Sequence, residues 1–262
     1  MGIYIDNKGK AQKVANLAVL MSQLLLESGA EVYRVEDTGF RICNSCKGIE
    51  DVNVFVTTNM IMVSFLYYNE NIMAMRRVKN AGTNLKVVSE INQLSRKFVN
   101  SVIHIDVAFK EVEEIRRKTK IESLHKIIGG AFAAGSSTFL FGGNWKESVI
   151  AFIIGIISLV FLDKISKLNY SFFIENFSTA FILSFCASFA AALGIVENQN
   201  SIIIGALMPL VPGVSITNAV RDLMSGDVLA GISRISIAVF TSAAIAIGVG
   251  TALILFIQGG LL

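Results

Sequence analysis

The chain has 262 residues, of which 53% are hydrophobic and only 16% charged, with a mean hydropathy of +0.61 and a formal charge of +3. A soluble domain carries about a quarter charged residues, so this composition excludes an ordinary soluble enzyme and indicates a membrane protein. The charge is segregated: 32 of the 43 Asp, Glu, Lys and Arg residues fall in the first 126 positions and 11 in the last 136. Two physically different parts follow, a cytoplasmic α/β domain over residues 1–120 and a helical transmembrane domain over residues 121–262.

The N-terminal stretch is apolar, but Gln12, Lys13, Asn16, Ser22 and Gln23 interrupt it and no small-residue cleavage pattern follows, so it reads as no signal peptide. Asp6 stands where myristoylation at Gly2 needs Ser or Thr. Val14, Leu17, Ala18, Met21, Leu24 and Leu25 repeat at helical spacing and predict a core-facing helix. Ser28 with Glu31 has the form of a capping box, which ends that helix and starts another at AEVYRVEDTGFRICNSC. The β-branched runs at residues 52–57 and 60–67, split by Thr58 and Asn59, predict a hairpin. LKVV at residues 85–88 reads as a further strand, INQLSRKFVN as a helix, and residues 106–120 as a charged helix leading to the membrane.

Candidate chemistry in this part is sparse. Glu31, Arg34, Glu36, Asp37 and Arg41 crowd one helix at spacings of three and four, which suits a self-paired solvated face. The sharper reading has Glu31, Arg34 and Asp37 docking the domain against the membrane part. Cys43 and Cys46 form a CxxC, but a second pair is missing and His104 and His125 lack ligand spacing, so no metal site and no cofactor are expected. No GxSxG, GxxxxGK[ST] or HExxH occurs, so the chain is expected not to be an enzyme. The basic run before the membrane follows the positive-inside rule, and its interleaved acids argue against nucleic acid.

Apolar stretches near residues 124–142, 148–162, 172–195, 201–220 and 228–257 predict about five membrane spans. Lys and Arg alternate between rich and poor loops in register with a cytoplasmic N-terminus and an external C-terminus. Small residues recur in GGAFAAGSST, SFCASFAAALG and TSAAIAIGVGTA, as close helix packing in lipid requires, and Ser136, Ser137, Thr138, Ser184 and Ser188 lie deep enough to line a polar path.

The fourth stretch contains both prolines of the chain, Pro209 and Pro212, followed by Gly213. Pro209 lies roughly 14 Å in from the external side at about 1.5 Å per residue, near the midplane. Each helix-interior proline costs about 3 kcal/mol, so a break at residues 209–213 is expected where transporters place substrate sites. The half-helix restarting near Val214 would offer N–H groups and a positive dipole end to a carboxylate, with Ser215, Thr217 and Asn218 in its first turns. Arg221, Asp222 and Asp227 follow as gating or proton-coupling candidates.

SGAEVYRVEDTGFRIC, the VNVFVTTNMIMVSF hairpin and GALMPLVPGVSITNAVRDLMSGD together resemble the N-terminal, YjjP-like half of the threonine/serine exporter family. The resemblance implies a cytoplasmic domain and a multi-pass bundle in the cell (plasma) membrane, exporting small amino acids or dicarboxylates such as succinate. It further implies a separate, smaller YjjB-like membrane subunit as partner, with a homo-oligomer as a further expectation. Two other functions fit the same composition: a membrane-anchored enzyme whose cytoplasmic domain hydrolyses a metabolite, and a non-transporting scaffold or sensor.

Overall fold

In a computed structural model, residues 3–79, 82–118, 123–168 and 170–259 are described; Gly2 and Lys120 lie outside them. The elements run β1 (Ile3–Tyr4), α1 (Lys8–Glu27), α2 (Val32–Asn44), β2 (Cys46–Lys47), β3 (Ile49–Val56), β4 (Met60–Tyr67), β5 (Glu70–Arg77), α3 (Leu85–Val99) and α4 (Ile105–Lys118). There follow α5 (Ser123–Leu140), α6 (Trp145–Ser166), α7 (Phe172–Ala192), α8 (Gln199–Leu207), a 3-10 turn (Met208–Leu210), α9 (Gly213–Met224) and α10 (Val228–Gln258). Contacts divide the chain into two units, Met1–Lys120 with Val214–Ile235, and Ile121–Gly213 with Ser236–Leu262.

The first unit is built around α1. All six residues of its predicted apolar stripe are buried, and so are Ala11, Ala15, Val19, Leu20 and Leu26, because the helix is covered on most sides. A three-stranded antiparallel sheet, β3-β4-β5, turns Ile61, Val63, Phe65 and Tyr67 of β4 into this core. The period of two makes the other face of β4 only half-buried. Thr57 N–H donates to Met60 O at 2.8 Å, closing the β3–β4 hairpin over Thr58 and Asn59.

Two sequence expectations need correction, and one strand was not expected at all. Residues 85–88 are the first turn of α3, not a strand, because Asn84 caps them by accepting the Val87 N–H at 3.3 Å. A strand is instead β5, reached through Tyr68 and Asn69 at φ 47° and 62°, the two left-handed positions of a tight hairpin turn that glycine usually fills. Ser28 does not cap α2: it is the C-cap of α1, and Glu31 precedes α2 without any side-chain cap bond.

In the second unit, α5 packs on α6 and α8 through small residues. A Cβ on Gly155 of α6 would meet Ala134 Cβ at 3.0 Å and Ala131 Cα at 3.3 Å. A Cβ on Gly205 of α8 would stand 2.6 Å from Thr138 N and 2.7 Å from its Cα, so backbone meets backbone there. Thr138 is buried and donates to Ala134 O at 2.9 Å, Ser136 is exposed and donates to Ala133 O at 3.2 Å, while Ser184 and Ser188 on α7 are buried with no hydrogen-bond partner among the described residues.

Two loops of this unit meet at one carboxylate. Asn144 and Glu147 form a reciprocal capping box at the start of α6, with Asn144 N–H donating to Glu147 Oε2 at 2.8 Å. The other oxygen, Oε1, accepts the N–H of Asn198, in the loop before α8, at 2.9 Å. Glu147 is 2% exposed. Among the described residues, α6, α7 and α10 are long and apolar enough to cross a membrane, and a fourth span results if α8 and α9 are counted as one bent pair. The protein is a mostly helical membrane protein with a small antiparallel sheet near its N-terminus.

Candidate functional site

The site begins with a turn. Helix α1 ends in a Schellman motif, with Gly29 N–H donating to Leu26 O at 3.1 Å and Ala30 N–H to Leu25 O at 3.0 Å. Gly29 takes φ +86°, which only glycine adopts cheaply, and a side chain there would also strike the carbonyl of Gly82 at 2.9 Å. The reversal leaves three backbone groups of the SGAEV turn unused by either helix: the carbonyls of Gly29 and Ala30 and the N–H of Val32.

All three are taken by α9 and the start of α10. Asn218 Nδ2 donates to Gly29 O at 2.8 Å, Arg234 donates to Ala30 O at 3.0 Å, and Val32 N–H donates to Asp222 Oδ1 at 3.0 Å. The cap of α2 therefore comes from a residue 190 positions away. Asn218 and Asp222 are one helical turn apart on the face of α9 that also buries Ala219. Asp222 is fully buried and Arg234 Nε lies 2.9 Å from its Oδ2, an ion pair whose geometry is not that of a linear hydrogen bond.

The side chain of Glu31 completes the clasp. Its Oε1 accepts from Arg221 at 2.6 Å and its Oε2 faces Arg34 at 3.4 Å. Burial of Glu31 opposes its ionised form, but the Arg221 hydrogen bond, its own backbone and the Arg34 charge outweigh burial and hold the carboxyl below its ordinary value. Glu31 thus favours the folded state above the ordinary carboxylate range and loses that contribution as pH falls through its lowered value. Asp37 takes no part: it pairs with Arg41 on its own helix, both oxygens 2.8 Å from Arg41 Nε.

A second acidic pair lies beside the clasp and was not legible in the sequence. Glu36 accepts the Val56 N–H at 2.9 Å, and Asp227 lines a shallow pocket with Phe55, Val56, Thr57 and Val228. Burial pushes Glu36 up, with the Asp227 charge adding to it against the Val56 hydrogen bond. Burial, then Asp222, pushes Asp227 up as well. A raised carboxyl stabilises the fold at low pH and loses that contribution as pH climbs from its ordinary 4.5 through the raised value. Glu36→Gln, which keeps an acceptor for Val56, is expected to flatten the pH dependence of the melting temperature between pH 4.5 and neutrality and to melt no lower than the parent at neutral pH. A variant curve parallel to the parent's would refute this.

The proline-rich stretch is broken. Helix α8 gives way to the 3-10 turn Met208–Leu210, Val211 is extended, and α9 restarts at Gly213, with a 52° bend between the two helices. Gly213 N–H donates to Val211 O at 2.8 Å. Pro209 and Pro212 are half-buried, Gly213 and Thr217 are exposed, and Ser215 is half-buried one turn before Asn218. The division between the two units falls at Gly213 and Val214, so the three break residues belong to one unit and Ser215, Thr217 and Asn218 to the other.

Cys43 and Cys46 are free, buried thiols; burial raises both, Cys46 to about 11, which disfavours the thiolate a metal or nucleophile needs. Among the described residues no group of three or more His, Cys, Asp or Glu could hold a metal ion.

Comparison with known proteins places the chain in a family. Residues 16–256 match the family described as "Putative threonine/serine exporter". The chain is 24% identical to "Probable succinate transporter subunit YjjP" of Klebsiella aerogenes, over 93% of this chain and 94% of that protein. It is 25% identical to the "Threonine/serine exporter" of Corynebacterium glutamicum over 95% of this chain but 52% of the relative, and 22% identical to the "Probable threonine/serine exporter" of Mycobacterium tuberculosis over 91% and 45%. The chain therefore spans about half the length of these two longer relatives. No solved structure matches it. With a family match over nearly its whole length, apolar helices fit to cross a bilayer and a broken, proline-marked helix, the chain belongs to the threonine/serine exporter family.

Proposed function

We propose that the chain is one subunit of a secondary exporter in the plasma membrane that moves small carboxylate-bearing metabolites, either threonine- and serine-type amino acids or dicarboxylates such as succinate, out of the cell. The observation that carries this reading is the helix break at residues 208–213 with α9 restarting at Gly213. A helix start at membrane depth offers N–H groups and a positive dipole end to a carboxylate. Gly213 lets a solute approach the backbone, Ser215 and Thr217 supply hydroxyls, and Pro209 and Pro212 keep the two half-helices from joining. Asn218 and Asp222 anchor α9, which leaves Arg221, paired with Glu31, as a gating contact and Asp227, beside Glu36, as the carboxylate that would carry the proton in a proton-coupled cycle.

The same reading takes α5 as the first of five spans, places the N-terminus in the cytoplasm and the C-terminus outside, and assigns a smaller YjjB-like membrane subunit as partner. The relatives described as transporter subunits, and those twice as long, support a second half. The cytoplasmic domain does no chemistry of its own in this scheme.

Gly213→Leu tests it. A Cβ at Gly213 meets nothing within 4 Å, so folding should be unchanged. In vesicles holding both subunits, counter-flow of labelled threonine, serine and succinate is expected to fall by about tenfold or more, the equivalent of one lost charge-assisted contact. Unchanged flux with all three solutes would sink the site.

A further inference from the structure

A cleft of about 440 Å³ opens between α2 and α3, lined by Arg34, Asp37, Arg41, Asn92, Arg96 and Asn100 among others. Its volume falls in the range of roughly 300–1,000 Å³ typical of small-molecule sites. Three guanidinium groups face one carboxylate, an excess of two positive charges. The carboxylate is already committed, since Asp37 holds Arg41 through both oxygens. Arg34 is shared with Glu31 at a loose 3.4 Å, and Arg96 forms no ion pair among the described residues. Like charges converging on one concavity repel unless an anion joins them, and guanidinium forks match carboxylate and phosphate geometry.

We infer that this cleft binds a small organic or inorganic dianion, a dicarboxylate or a phosphate group, clamped by Arg34 and Arg96 with the Asn92 and Asn100 amides beside it. The site lies on α2, α3 and Asn100, the C-cap of α3, and shares no residue with the helix break. Its occupancy has a consequence for the clasp. Arg34 also faces Glu31, which holds Arg221, so an anion that draws Arg34 into the cleft weakens one of the two partners of Glu31 and leaves Arg221 as the other.

The test is isothermal titration of the full chain, purified in detergent, with succinate, inorganic phosphate and threonine at matched ionic strength. An Arg96-dependent, saturable component of dianion binding is expected, one that zwitterionic threonine lacks. Arg96 is exposed, so Arg96→Ala should fold normally and weaken that binding at least about tenfold, with Arg96→Lys intermediate and Gly213→Leu without effect. Preference for succinate would identify a dicarboxylate site, and preference for phosphate a phosphate site. Dianion binding untouched by Arg96→Ala would overturn the proposal, as would threonine binding that Arg96→Ala weakens by as much.

Discussion

Asp222→Ala is expected to cost about 3–5 kcal/mol, the range for removing one partner of a buried ion pair. The loss has two parts. Arg234, 11% exposed, would be left with its charge uncompensated and only the Ala30 carbonyl as partner, and the Val32 N–H at the start of α2 would lose its acceptor. Asp222→Asn separates the two parts, because the amide oxygen still accepts from Val32 while the charge is gone. The double variant Asp222→Asn with Arg234→Met removes both charges and should recover part of the loss, since no unpaired ion is then left buried. Thermal unfolding of the detergent-purified chain measures all three. A melting temperature for Asp222→Ala within a degree or two of the parent would show that the clasp contributes little.

Gly205→Val should prevent the second unit from assembling. A Cβ at that position would stand 2.6 Å from Thr138 N and 2.7 Å from Thr138 Cα, closer than real Cβ contacts come, and both obstacles are backbone. Helix α5 cannot retreat without opening its own contact with α6, where Gly155 lies against Ala131 and Ala134. The expected readout is loss of monodisperse protein on size exclusion in detergent, with Gly250→Ala, where a Cβ meets nothing within 4 Å, as the tolerated control. Equal yield and profile for Gly205→Val and the parent would refute the close α5–α8 crossing.

Much of the fold was legible where a single local pattern decides the structure. The stripe from Val14 to Leu25 marked α1, and β-branched runs split by Thr58 and Asn59 marked the hairpin. Local patterns failed where the competing signal was stronger than propensity. Val87 and Val88 favour strand, but Asn84 as a cap commits them to α3. The strand β5 escaped notice because Met73, Met75, Arg76 and Arg77 are not strand-like and the Tyr68-Asn69 turn lacks glycine. The Ser28 and Glu31 spacing imitated a capping box, while the true acceptor, Asp222, lay far beyond the reach of any local rule.

The site was visible in its pieces but not in its pairing. Glu31, Arg221, Asp222 and Asn218 could each be singled out as polar residues in unusual places, yet only the fold brings them to one turn. Glu36 read as one more acid on a solvated helix. The reciprocal pair Asn144 and Glu147 did carry a local signature, an Asn followed three residues later by Glu before an apolar run, though nothing in the sequence joins it to Asn198.

That junction bears on where protons could travel. Among the described residues of the second unit, Glu147 is the single buried carboxylate, and a buried acid in a transporter invites the role of proton carrier. Its two oxygens are instead occupied by backbone donors from two different loops, the N–H groups of Asn144 and Asn198. Glu147 acts as a rivet: the α5–α6 and α7–α8 loops are fastened into one piece, and neither can swing open without carrying the other along.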